Sequence, residues 1–477
     1  MKRQLVVLYN PRAVFYTMPL SLLAVGSHLD PNRYEVRIVD GRLEADPAAA
    51  VREALDGALC LGVTVLTGAP IADAVAISQA AKAYRPDLPV IWGGWHPSMF
   101  GPECLAEPSV DITVQAQGEV TFHEICDRLA AGEPIASLAG SARCAGCTVR
   151  TADGAVRQSP PRPLVDLNAL RPHDYRLLPV ERYYELKGKR QLDYISSQGC
   201  AFRCAFCADP FVYNRKWIGL APERMGREIE DLWRRYGFDD LSFQDETYFT
   251  YAPRVEAVAD ELLRRQLPIT WAATMRADQG ARLSEEAMAK CRRSGLRRVI
   301  IGVESGSQET IDRIKKDIKL EQVFESAEKC LRHGVNVIFP FIVGFPGEDD
   351  ESVQASLDVA KRLRSLSPGF ETPIFYFKPY PGSALTDDAV RDGYILPRTL
   401  DEWARFDFIG SAGPWVSSER HRRIERFKFY QRLAWNRGAP WTRPARALAR
   451  WRLKRDRYAL PVEKMVSDWL WPQAEMS

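Results

Sequence analysis

Leu192-Asp-Tyr-Ile-Ser-Ser-Gln-Gly-Cys200-Ala-Phe-Arg-Cys204-Ala-Phe-Cys207 is the stretch that decides how this chain reads. Three cysteines at CxxxCxxC spacing can hold three irons of a 4Fe-4S cubane and leave the fourth open, whereas an electron-transferring cluster takes four cysteines. An open iron implies a small-molecule ligand. The segment 192–198 reads as a short strand, so the cysteines begin on the loop at its C-terminal end, where α/β barrels carry their active-site loops. Phe202 and Phe206 alternate with the cysteines and would screen a cluster from water, which tunes its potential. The alternatives are three buried cysteines in an apolar loop, or a zinc site short of one ligand.

With an aromatic residue, Phe206, just before its last cysteine, the motif resembles that of the radical S-adenosylmethionine (SAM) enzymes. The resemblance implies that Cys200, Cys204 and Cys207 ligate a 4Fe-4S cluster and that the amino and carboxylate groups of SAM occupy the open iron. It further implies that an electron from the cluster cleaves the sulfonium to a 5′-deoxyadenosyl radical.

Downstream, β then α repeats, with strands expected at 192–197, 240–244, 268–274, 297–303, 335–342 and 372–378 and helices such as Pro222–Tyr236 and Ser284–Ser294 between them. Six such units make the partial (β/α)6 barrel of the family, assigned to residues 189–400. By the same resemblance the strand ends bind SAM. Asp245 and Glu246 stand where relatives hold the methionine amino group, and a carboxylate suits an ammonium. Arg276 is placed to meet the SAM carboxylate, Glu304 and Ser305 the ribose hydroxyls, and Tyr380 completes the expected SAM contacts. Phe341-Ile-Val-Gly-Phe-Pro-Gly-Glu348 follows the fifth strand.

Upstream, apolar strands at 4–10, 34–39, 59–65, 89–93 and 111–115 alternate with helices such as Ile71–Tyr84 and Val120–Ala131, the pattern of a doubly wound, Rossmann-like parallel sheet. In such a sheet a ligand sits in the crevice at the strands' carboxyl ends, and glycine there permits close approach of the backbone. With CxxxCxxC downstream, the Gly93-Gly94-Trp-His-Pro97 and Gln117-Gly118-Glu119 loops make roughly residues 1–400 resemble the cobalamin-binding subclass of radical SAM enzymes, with residues 1–140 as the cobalamin-binding domain. That match puts Thr64, Thr67, Gly68, Gly93, Gly94, Gly118 and Glu119 around the cobalamin. The sequence departs from the DxHxxG loop that sets a histidine below cobalt in many cobalamin proteins, offering Asn10-Pro11-Arg12 and Asp40-Gly41-Arg42 instead. His96 is expected to be a hydrogen-bonding or surface residue and not a metal ligand.

Residues 132–188 are rich in Pro, Arg and small side chains and read as a connector, with the segment between the two domains set at 141–188. Cys144-Ala-Gly-Cys147 lies within it, and with no second pair to complete a site it reads as two incidental thiols in a hairpin. The last segment, 401–477, is expected to be mainly helical. Residues 419–457 hold fourteen Lys or Arg against three Asp or Glu, interleaved with aromatic residues, and Trp469-Leu-Trp-Pro472 follows. This suits a structural cap, an anionic membrane surface or, less well, nucleic acid.

The 477 residues are 46% hydrophobic and 27% charged with a net charge of +3, ordinary for a soluble globular protein, and the charge says little about partners. No apolar run reaches the length of a spanning helix, and the N-terminus lacks a signal-peptide pattern. The protein is therefore expected in the cytoplasm, with membrane association at the inner face as a variant. Its ten cysteines read there as thiols or metal ligands. The fold class expected is α/β, and the function a cobalamin-dependent radical SAM methyltransferase acting on an unactivated carbon. Cyclisation, rearrangement or oxidation on the same scaffold, and a non-catalytic cluster-bearing sensor, are the alternatives. The expected partners are a small-molecule or lipid-like substrate and an electron donor such as flavodoxin or ferredoxin.

Overall fold

In the first strand, β1 (Gln4–Asn10), Val6, Val7, Leu8 and Tyr9 are all buried. A strand apolar on both faces belongs in the middle of a parallel sheet covered by helices, and the computed structural model places it there. The structure describes residues 3–138, 144–151, 153–406, 412–435, 442–458 and 461–465. β1 pairs in parallel with β2 (Tyr34–Asp40) on one side and β3 (Ala58–Thr64) on the other, followed by β4 (Val90–Gly93) and β5 (Ile112–Val114), in the order β2-β1-β3-β4-β5. Helices α1 (Leu20–His28), α2 (Pro47–Ala54), α3 (Pro70–Tyr84), the short α4 (Trp95–Met99) and α5 (Gly101–Cys104), and α6 (Glu119–Ala130) connect them. Asp46 caps α2 by accepting from the Ala49 amide, and Pro47 occupies its first turn.

Alternation along β1 feeds two cores. Val7 and Tyr9 pack with α2 and α3, and Val6 and Leu8 with α1 and α6. Trp403 and Phe406, far along the chain, belong to the first of these cores. Two further strands, β6 (Cys147–Arg150) and β7 (Val156–Gln158), extend the sheet antiparallel beyond β5. The sheet is therefore mixed where the sequence pattern pointed to a parallel one. These strands come from the stretch read as a connector, and they are too short to show a period.

The chain divides into two compact units. The first comprises residues 1–274, 293–296 and 379–408, and the second residues 275–292, 297–378 and 409–477. In the first, beyond the N-terminal sheet, β8 (Gln191–Tyr194) is followed by a short antiparallel pair, β9 (Ser197–Gly199) and β10 (Trp217–Gly219). Strand β11 (Asp240–Phe243) pairs in parallel with β8 and with the start of β12 (Thr270–Arg276). The helix Pro222–Tyr236, which buries Met225 and Ile229, closes on Gly237 in the left-handed conformation.

The second unit carries β13 (Leu296–Gly302) in parallel with β14 (Asn336–Ile338), while β15 (Phe341–Val343), β16 (Phe370–Glu371) and β17 (Ile374–Tyr376) follow. There β14 pairs with β16, and β15 with β17. The C-terminal segment is mostly helical, with helices Ser418–Trp435 and Arg443–Arg455. Ile424, Phe427 and Tyr430 of the first, and Ala449 and Leu453 of the second, are buried. Trp441 and Trp469–Pro472 lie outside the described residues.

Candidate functional site

The cysteine loop leaves the sheet through Gly199. Its φ is +81°, and a Cβ there would run into the carbonyl oxygen of Lys216, so only glycine fits. Cys200, Cys204 and Cys207 are half-buried, and the Cys207 amide donates to the Cys204 carbonyl at 3.2 Å. Burial, and then Asp209, push the Cys207 thiol up. Among the described residues no three His, Cys, Asp or Glu side chains close into a metal cage. As a donor set the three thiols nevertheless suit a cubane with one open iron.

Behind this loop, Asp245 and Arg254 brace the residues that lead into it. Asp245 Oδ1 accepts from the Ser196 amide (3.1 Å), Ser196 Oγ (2.8 Å) and Ser197 Oγ (2.5 Å). The Arg254 guanidinium donates to the Ser196 carbonyl at 2.8 Å and to the Leu220 carbonyl at 2.9 Å. Glu246, next to Asp245, lines a cavity instead: like Asp245 Oδ2, its Oε2 is buried without a hydrogen-bond partner, and burial, then the charge of Asp209, raise the carboxyl to about 8. In the sequence the two acids were indistinguishable.

A cavity of about 340 Å³ opens at the carboxyl ends of the first sheet, where the strand order reverses between β1 and β3. Thr64, Gly93, Gly94, Gly118 and Glu119 line it. Gly94 has φ +98°, and a Cβ there would sit 2.9 Å from Thr64 Oγ1 and 3.0 Å from the Val65 backbone. Thr67 and Gly68 are not in the lining. Thr67 Oγ1 bonds His96 Nδ1 at 3.2 Å, and Gly68 accepts from the Ile71 amide at the start of α3.

His96 is a core residue, buried against Phe100 and Trp403 with ring centroids 5.1 and 5.7 Å away, and burial lowers it to about 4. Among the described residues no histidine lines the cavity. The lining combines a broad apolar wall, including Leu8, Val114 and Phe122, with hydroxyls and amides from Ser21, Thr64 and Gln117. That mixture fits a corrinoid, whose apolar ring is fringed with amides.

Gln117, of the loop already singled out in the sequence, shares this wall with Gln198, Gln244, Tyr213 and Met18, which sequence reasoning missed as site residues. Gln117 accepts from the Val165 amide at 2.7 Å and donates to Gln198 at 3.0 Å, and Gln198 donates to Glu119 at 3.1 Å. Burial raises Glu119. The only hint in the sequence was proximity, since Gln198 stands two residues before Cys200 and Tyr213 six after Cys207.

In the second unit the expected SAM contacts already have partners. Arg276 donates to Asp278 at 2.9 Å and to the Lys316 carbonyl at 2.6 Å. Glu304, left-handed at φ +65°, forms a buried ion pair with Lys316 at 2.6 Å. Ser305 Oγ meets Ser356 Oγ at 3.1 Å. Glu348 accepts from the amides of Gly344 and Phe345 through Oε2, leaves Oε1 without a hydrogen-bond partner, and is raised by burial to about 7. Tyr380, in the first unit, packs edge-on to Phe406 at 5.8 Å.

Two family models match the chain, the B12 binding domain over residues 8–126 and the Radical SAM superfamily over residues 194–360. An uncharacterized methyltransferase, PH0819, of Pyrococcus horikoshii is 28% identical over 403 residues, covering 83% of this chain and 84% of that one. Cytidylyl-2-hydroxyethylphosphonate methyltransferase of Streptomyces wedmorensis is 25% identical, with 83% of each chain covered. Among solved structures, the cobalamin-dependent SAM radical enzyme OxsB with aqua-cobalamin and SAM bound shares the fold with a TM-score of 0.66 at 21% identity. That match covers 82% of this chain, which spans 56% of OxsB. The cofactors are a 4Fe-4S cluster, SAM and cobalamin. The chain therefore carries a B12-binding domain over residues 8–126, followed by a domain of the radical SAM superfamily over residues 194–360.

Proposed function

We propose that the protein is a methyltransferase that adds a methyl group to an unactivated carbon. One observation carries the reading: a single cavity is walled both by the glycine-rich strand ends of the first sheet and by Gln198 and Glu246, which stand beside the cysteine loop and at the end of β11. A substrate there would meet both cofactors, and holding reactants in near-attack geometry is what such a site contributes. When bound, the cluster and SAM supply hydrogen abstraction and cobalamin supplies the methyl group.

The chain's own residues do the holding. Cys200, Cys204 and Cys207 would ligate the cluster. Glu246 offers a spare carboxylate oxygen to the SAM ammonium, while Asp245 has most of its capacity spent on Ser196 and Ser197. Thr64, Gly93, Gly94, Gly118 and Glu119 would face the cobalamin. For Arg276, Glu304 and Ser305 to meet SAM, the cofactor must compete with the partners they already hold.

A small electron carrier such as flavodoxin or ferredoxin would supply the reducing equivalents. An apolar or lipid-borne substrate is supported by the helix Arg443–Arg455, which exposes Leu448 and Trp451 among arginines, and no helix among the described residues is long and apolar enough to cross a membrane. The deciding experiment incubates anaerobically reconstituted protein with reductant, SAM and candidate substrates. Methylated product together with 5′-deoxyadenosine and S-adenosylhomocysteine is the expected result. Formation of 5′-deoxyadenosine with a product of unchanged carbon count would overturn methylation in favour of another radical reaction.

A further inference from the structure

The turn Cys144-Ala-Gly-Cys147 is used by none of the chemistry above, yet it is built around its sulfurs. The two Sγ atoms lie 3.6 Å apart in a shared hydrogen bond, and both residues are fully buried. Cys147 Sγ donates to Cys144 Sγ and to the Cys144 carbonyl at 3.2 Å, and lies 3.5 Å from Ser159 Oγ. Gly146 lets the turn close, with φ +81°. Contact with Cys144, then with the Ser159 hydroxyl and the nearby Arg162, holds the Cys147 thiol below its usual range against the opposing effect of burial, while the same contact raises Cys144. Two buried thiols in hydrogen-bond contact, one of them acidified by that contact, are the arrangement that thiol–disulfide exchange uses.

We infer that Cys144 and Cys147 are a redox-active dithiol that closes to an intramolecular disulfide behind the cavity. The oxidant is a low-molecular-weight disulfide. The Cys147 thiolate attacks one of its sulfurs and expels a thiolate, and Cys144, losing its proton, then attacks the mixed disulfide at Cys147 and expels the second. The protein loses two electrons and two protons, and one small disulfide becomes two thiols.

Access comes through the sheet's edge. Among the described residues β7 is three exposed residues long and pairs with β6 alone, so local opening of this edge would give a small disulfide a route to the thiols. The pair is also wired to the cavity. Thr121 Oγ1 in the first turn of α6 donates to the Ala145 carbonyl at 2.8 Å, and the Gln115 amide donates to the Gly146 carbonyl at 2.9 Å. Both bonds hold the backbone on either side of Gly118 and Glu119.

The test equilibrates anaerobically purified full-length protein with glutathione and glutathione disulfide at stepped ratios, quenches in acid, and alkylates remaining thiols under denaturing conditions. Peptide mass spectrometry then reads each cysteine. The expected peptide spanning Cys144 and Cys147 loses two hydrogens and escapes alkylation with a single midpoint, and Cys147→Ser restores labelling of Cys144. Repeating the titration in mild urea removes any barrier of access. Full alkylation of both thiols there, or disulfides that pair them instead with Cys60 or Cys126, would overturn the proposal. Cobalamin affinity of the unmodified protein is expected to change at least threefold between the reduced and oxidised forms, with no change in Cys144→Ser/Cys147→Ser. An equal change in that variant would overturn the coupling to the cavity.

Discussion

The acids at the strand ends of the two units are spent differently. In the first unit Glu246 and Asp245 each keep a buried carboxylate oxygen without a hydrogen-bond partner. In the second, Glu304 is paired with Lys316 and Arg276 with Asp278, all four nearly or fully buried. A buried polar atom without a partner costs free energy that a ligand can return, whereas a buried ion pair already has its compensation. Asp245 and Glu246 therefore keep binding capacity in reserve, as Asp40 of the same unit, paired with Arg42, does not, while Glu304 and Arg276 have converted theirs into fixed pairs.

Ways to break that contrast begin with the largest effect. Replacing Cys200, Cys204 and Cys207 together by Ala is expected to abolish the visible iron–sulfur absorbance and all SAM cleavage, with far-ultraviolet circular dichroism unchanged. A full complement of iron in that variant would remove the basis of the site. Next, Gly94→Val places a β-branched residue at φ +98° against Thr64 and Val65. The strain is of order 1–3 kcal/mol, and cobalamin uptake, read from the visible spectrum, should be lost while iron content is retained.

Exchanging single acids sharpens the comparison directly. Glu304→Gln leaves Lys316 buried without its counter-charge and is expected to lower unfolding free energy by about 3–5 kcal/mol in denaturant titration. Glu246→Gln should leave stability unchanged or slightly higher, because it removes a carboxylate that burial penalises, and should weaken SAM binding at least tenfold by calorimetry. Equal stability losses in the two variants would erase the distinction.

Glu348 is the second unit's exception, and pH exposes it. Its carboxyl titrates near 7 when folded, against 4.5 for the ordinary group. Between those values the folded protein binds the proton more tightly than the unfolded chain. This group's contribution to stability is therefore full below pH 4.5 and lost as pH rises toward 7, with a slope of at most about 1.4 kcal/mol per pH unit. Glu348→Gln should flatten that part of the stability profile. The smallest effect concerns the basic tail. If lipid is its partner, Trp451→Ser with Arg455→Gln should weaken sedimentation with anionic vesicles by only a few-fold, since each cation near the surface contributes about 1 kcal/mol. Equal sedimentation of variant and native protein would leave the helix as a cap.

What the sequence made legible was local. CxxxCxxC, the strands that end at Thr64 and Gly93, and the helix Pro222–Tyr236 are all encoded in neighbouring residues, by spacing, period and capping. What it hid was the partner of each polar group. Nothing local separates Asp245, bound to two serines forty-eight and forty-nine residues away, from Glu246 beside it. Gln117 and Gln198 are eighty-one residues apart, and nothing local to either shows that they bond to each other. The tail's composition was plain but its use was not, because whether an arginine faces lipid or an internal acceptor depends on what it packs against. Arg420 is taken by Asp350 and the Glu348 carbonyl, and Arg452 by Glu463.

Trp403 and Phe406 complete the apolar core formed by β1, α2 and α3. During synthesis that core must wait, for its last two aromatic residues leave the ribosome after the whole radical SAM segment has been made. The N-terminal sheet is then a nascent domain with an open flank, a natural client for chaperones. A gene fragment ending near residue 140 would leave bare the apolar flank that Trp403 and Phe406 cover, and grafting the sheet elsewhere is expected to need those two residues as well.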